Sequence, residues 1–174
     1  MTIYKKNFTD RFELKEGEFS TLLFKKLIRN WHEKATTEDY FSKFVFEYLA
    51  FAAILRKYSN VESKSDRDAI EWLKKNKEIK EKYLERIGKE VDLTKLIDYL
   101  RVEPVENNDK KVKIEGDEDW PNMVEFVYSV RNNLFHGSKD PEDARDKFLV
   151  EYAYELLRPL VEILLNKIGM GEEH

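Results

Sequence analysis

The chain contains no cysteine, which excludes a disulfide scaffold and any thiolate metal site. Histidine is nearly as scarce: of the three present, His32 and His174 have no second ligand at metal spacing and read as incidental, so no metal is expected. Four prolines and six glycines in 174 residues leave little turn material for a sandwich of short strands, and that scarcity favours helices. No apolar run approaches the ~20 residues of a membrane span. The start, Met1 to Lys6, leads into no apolar segment of signal-peptide length, so a cytoplasmic location without membrane contact is expected. A Gly-rich phosphate loop, a Gly-x-Ser-x-Gly elbow and a dinucleotide fingerprint are all missing, which removes support for the common nucleotide-hydrolysing and oxidoreductase classes and for a bound cofactor. Neither sign of charge dominates. With 31 basic and 35 acidic residues the net charge is −4, so any nucleic-acid contact has to be local.

What is there points to an all-α bundle of about five or six helices forming one domain over residues 1–174. Apolar residues at three- and four-residue spacing predict a first helix over about 18–34, with Phe19, Leu22, Leu23, Leu27 and Ile28 on the core face. Thr36 to Asp39 is a capping signal for a second helix to about Tyr58. Its wide stripe (Phe41, Phe44, Val45, Tyr48, Leu49, Ala52, Leu55) makes it the expected centre of the core. Its dense aromatics read as packing rather than as a base-stacking platform. Ser65 to Asp68 opens a charged outer helix to about Ile87, and Asp92 a short one to Leu100 that must end before Pro104.

Residues 103–118 are polar and turn-rich and are expected to form a mobile loop, with only Val112 and Ile114 hinting at an extended piece. Its Lys110, Lys111 and Lys113 are hemmed in by Asp109, Asp117, Glu118 and Asp119, which blunt their field. Asp119 and Pro121 then open a helix in which Met123, Val127, Val130 and Leu134 share one face. After Gly137, the order Asp140, Pro141, Glu142, Asp143 predicts the start of a long final helix to about Ile168, kinked near Pro159.

Chemistry concentrates at Arg131, Asn132, Asn133, Leu134, Phe135, His136 and Gly137, where a buried helix is expected to end. A guanidinium suits phosphate oxygens, and an imidazole trades protons near neutral pH. On a regular helix five positions separate Arg131 and His136 by about 140° around the axis, so one helix alone cannot aim both at one atom. They converge if the helix end unwinds near Gly137, or if a second copy of the chain contributes across a twofold axis. Asn132 and His136, four apart, share a face, and Asn132 is the expected orienter of the imidazole. Lys139 is a further candidate phosphate contact.

Arg131, a polar residue, three more positions and then His136 resemble the Arg-x4–6-His motif of the HEPN domains, with the same setting: late in an all-α chain, at the end of one helix, before a short turn and a long final helix. The likeness is strongest over residues 119–168. It implies a dimerising bundle and a metal-independent endoribonuclease that cuts RNA at a composite homodimer cleft, in a defence or toxin–antitoxin setting. It further implies that Arg131 stabilises charge on the phosphoryl oxygens while His136 serves as general acid or base around the 2′-hydroxyl and the leaving oxygen. The branch paired with a nucleotidyltransferase antitoxin carries His-x-Tyr, whereas Gly137 and Ser138 follow His136 here. The alternative implied by the same family is a catalytically inactive RNA-binding or protein-interaction module.

Overall fold

The computed structural model describes residues 16–36, 39–59, 65–137, 139–167 and 169, with side chains from Leu22 onward. Seven helices and one hairpin make up the described part: α1 (Glu16–Ala35), α2 (Tyr40–Ser59), α3 (Asp66–Lys75), α4 (Lys77–Glu90), α5 (Thr94–Val102), β1 (Val105–Asn107), β2 (Lys110–Val112), α6 (Trp120–Phe135) and α7 (Ala144–Lys167). It is the expected all-α bundle with its long final helix. No described helix is long and apolar enough to cross a membrane.

α2 and α7 form the centre. α2 packs most extensively on α7 and on α1, while α7 also receives α4 and α6. The stripe of α2 buries Phe44, Tyr48, Phe51, Ile54 and Leu55, and α7 runs through Pro159 with Leu149, Leu156, Leu157, Leu160 and Leu164 buried against its neighbours. Asp39 caps α2 by accepting the N–H groups of Phe41 and Ser42 at 3.0 and 3.2 Å; Thr37 and Glu38 lie outside the described residues.

Four sequence expectations change. Among the described residues α1 packs chiefly on α2, and its buried stripe is narrow: Ile28 and Ala35 are buried, whereas Leu22, Leu23 and Leu27, expected in the core, are exposed, and the side chain of Phe19 lies outside the described residues. The charged helix expected over 65–87 is two helices divided at Asn76, whose extended backbone ends α3 while its side chain accepts the N–H of Ile79 at 3.0 Å and starts α4. Residues 103–118 hold an antiparallel hairpin, with Val105 opposite Val112 and Asn107 opposite Lys110. Asn108 turns it at φ 55°, a left-handed conformation that asparagine tolerates. Val105, Val112 and Ile114 are buried, and the hairpin lies on α6. Finally, α7 begins at Ala144, because Asp143 rather than Asp140 accepts an N–H of the first turn, that of Asp146 at 2.9 Å.

α6 is enclosed on nearly all sides. Every residue from Met123 to Val130 is buried, since α3, α7 and both strands pack around it. Trp120, fully buried at its start, donates from its indole to the carbonyl of Lys74 at 3.0 Å and lies beside Tyr83. The Tyr83 hydroxyl in turn donates to the carbonyl of Leu156 at 2.6 Å, which ties α4 to α7.

Candidate functional site

α6 leaves the core at its C-terminal end, where exposure rises from buried Val130 to exposed Phe135 and His136. The helix stays regular through Phe135. His136 then caps it, its backbone N–H bonded to the carbonyl of Asn132 at 3.0 Å, and Gly137 stops it at φ 72° with its N–H on the carbonyl of Leu134. A side chain at Gly137 would meet no atom within 4 Å, so the glycine serves backbone conformation and not close packing. The imidazole of His136 projects from this tip, exposed, with no hydrogen-bond partner among the described residues.

Arg131 lies just over one turn earlier and points elsewhere, toward α2 and α3. One terminal nitrogen donates to the side-chain oxygen of Asn132 at 2.8 Å, and the other to Oδ2 of Asp66 at 3.3 Å. The other oxygen of that carboxylate accepts from Arg56, at 2.8 Å from Nη2 and 3.3 Å from Nε. The Arg131 guanidinium sits beside the rings of Tyr48 and Phe135, 5.4 and 4.8 Å from their centroids. Its Nε is buried without an acceptor among the described residues. Burial holds the Tyr48 hydroxyl far above the ordinary phenol range, so it remains protonated beside the guanidinium.

The expected site residues are thus distributed unequally. Arg131 and Asn132 are joined, but Asn132 spends its carbonyl on Arg131 and not on the imidazole. No hydrogen bond links Arg131 to His136, as a helix regular to Phe135 requires. Lys139 does not face solvent: its ammonium pairs with Asp146 at 2.9 Å, with the two side chains only 6% and 11% exposed. Asp146 also accepts the N–H of Asp140. Burial alone would raise its carboxyl, but these contacts outweigh burial and hold it below the ordinary range. Lys139 therefore fastens the turn between α6 and α7, which accounts for it without a phosphate. Asn133 donates to the carbonyl of Glu106 at 2.8 Å and anchors the hairpin to the same helix end.

Two charged clusters escaped sequence reasoning. Glu125 of α6 is buried against Arg67, which holds both its oxygens at 2.7 and 2.8 Å, and Lys74 at 2.6 Å, both from α3. Burial favours the neutral carboxyl, yet the hydrogen bonds from Arg67 and Lys74 win and bring it down to about 2. His32 of α1 contacts the fully buried carboxylate of Glu47 in α2 at 2.7 and 3.0 Å. The bond to Glu47 raises the imidazole above its ordinary value, and burial raises Glu47. A signal existed for Glu47, which interrupts the apolar stripe between Phe44 and Tyr48: a carboxylate at a core position needs a partner. Among the described residues no group of three or more His, Asp or Glu is placed to hold a metal ion.

No family model, curated protein or solved structure matches this chain.

Proposed function

We propose that the chain is a HEPN-type, metal-independent endoribonuclease whose site is completed by a second copy of itself. The observation that carries this reading is the division of labour at the end of α6: an exposed imidazole at the tip, without a hydrogen-bond partner among the described residues, and a guanidinium about one turn back, half-buried and held by Asn132 and two aromatic rings. A helix that stays regular to Phe135 keeps the two apart within one chain, and a twofold partner supplies the missing convergence. His136 removes the 2′-hydroxyl proton, the 2′-oxygen attacks phosphorus, and the 5′-oxygen departs with a proton delivered by the second copy of His136. The products are a 2′,3′-cyclic phosphate and a 5′-hydroxyl. Arg131 stabilises the charge that grows on the non-bridging oxygens. Imidazole and guanidinium suffice for these steps, so no cofactor is invoked. A defence or toxin–antitoxin setting, with an antitoxin protein as partner, rests on the family resemblance alone.

The test is RNA cleavage in the presence of a chelator by the wild-type chain, His136→Ala and Arg131→Ala, with folding checked by circular dichroism and mass by sedimentation. The proposal expects a dimer whose cleavage falls at least ~100-fold in each variant. Undiminished cleavage in both would end it. A second reading, a catalytically silent module that binds RNA or a protein through the same surface, is favoured by one observation: Arg131 is already paired inside its own chain with Asp66. It expects RNA or partner binding without cleavage.

A further inference from the structure

Arg131 is held by a carboxylate that it shares. Asp66, the first residue of α3, gives Oδ1 to Arg56 of α2 and Oδ2 to Arg131 of α6, so two guanidiniums from two helices converge on one monoanion, one oxygen each. A phosphodiester presents the same face: a single negative charge and two non-bridging oxygens.

We propose, resting on the ribonuclease reading above, that Asp66 is an internal stand-in for a backbone phosphate of RNA, that substrate displaces it, and that Arg56 is the second cation of the phosphate site.

Four features support the exchange. The contact of Asp66 with Arg131 is long for a charge-assisted bond, at 3.3 Å, and single rather than forked. Arg131 keeps one buried donor, Nε, without an acceptor among the described residues, so the resting arrangement leaves its hydrogen-bonding capacity unfilled. Release of Asp66 does not free Arg131 to swing away, because Asn132 and the rings of Tyr48 and Phe135 still hold the guanidinium. The site is reachable from solvent, with the Arg56 side chain 65% exposed. Arg56, Asp66, Arg131 and Phe135 are linked by successive contacts. This strip runs from α2 to the last turn of α6 and forms the phosphate-binding side of a site whose imidazole comes from the second copy. Two guanidiniums against one carboxylate leave it with a positive surplus in a chain whose net charge is negative.

The experiment is binding of a fluorescent single-stranded RNA oligonucleotide, read by anisotropy from about 50 to 300 mM salt with chelator present. His136→Ala is the non-cleaving parent. Adding Arg56→Ala is expected to weaken binding about 5-fold or more and to lower the slope of log affinity against log salt by ~0.7, the loss of one phosphate contact on a single strand. Arg56→Lys keeps the slope. Asp66→Asn, neutral and of the same shape, is expected to tighten binding about 3- to 10-fold. A purely structural ion pair would leave the salt slope unmoved. Because Arg56 is largely exposed, its substitution tests the idea even if Asp66→Asn folds poorly. An unchanged slope in Arg56→Ala overturns the exchange while leaving the ribonuclease reading intact, provided the wild-type chain cuts RNA. So does weaker binding by a folded Asp66→Asn. Failure of every form to bind RNA overturns both.

Discussion

Glu125→Gln separates a buried ion cluster that stabilises the fold from one that merely occupies it. The carboxylate is 7% exposed and takes three charge-assisted bonds from Arg67 and Lys74, which bring it down to about 2 against an ordinary 4.5. At 1.36 kcal/mol for each pKa step, a difference of this size corresponds to roughly 3 kcal/mol at neutral pH. The sign follows from the direction. A carboxyl depressed in the folded state contributes stability that is fully present above its unfolded value and is lost as pH falls through the folded one. Glu125→Gln should therefore lose roughly 3 kcal/mol at pH 7, and the gap to the wild-type chain should close as pH drops from about 4.5 toward 2. Urea denaturation of both proteins, followed by circular dichroism along that pH series, measures the gap. A cost below about 1 kcal/mol at pH 7, or a gap that persists unchanged at pH 2, would refute the reasoning and mean that desolvation consumes what the bonds supply.

Two other substitutions test separate features. The His32–Glu47 pair faces Arg158 and Glu162 of α7, and both of its members are raised, so the folded state holds a proton more tightly than the unfolded one. The contribution of the imidazole is complete below the ordinary histidine value and is lost as pH rises through the raised one. Melting temperature should therefore fall more steeply in the wild type than in His32→Gln as pH rises above the ordinary histidine value of 6.5, and equal slopes would dismiss the pair as a source of pH dependence. Gly137→Ala should cost about 1 kcal/mol in urea denaturation, from the positive φ alone since no neighbour obstructs the new methyl, with Gly137→Asn costing less; a neutral alanine would mean that the helix end is not left-handed there.

Local patterns made much of this architecture legible. The Phe44–Tyr48–Leu55 part of the α2 stripe, the Met123–Val127–Val130 face of α6 and the Gly137 stop each depend on residues within one or two turns and lie where spacing put them, whereas Leu49, expected on the same α2 stripe, is exposed. The features that were missed depend on distant chain. Asn76 lies between lysines in a run of good helix formers, and only the different faces required by α6 and α7 reveal it as a break. The hairpin has too few apolar residues to show a strand period, and its buried side is defined by α6. At the candidate site, Arg131 and His136 stood out by type and spacing. Asp66 read as part of a helix start, because nothing local tells that a residue 65 positions away will lean on it.

Asn76 sets a phase between two lever arms. α3 lays Arg67 and Lys74 onto α6, and α4 lays Tyr83 onto α7, and only the one-residue interruption lets each present its own face to its own partner. Removing it would fuse α3 and α4 into a single rod of ~36 Å, and each residue gained or lost at the joint would rotate one arm by ~100° relative to the other. Insertions should therefore be tolerated in the exposed turn at Asn108–Asp109 far better than at position 76.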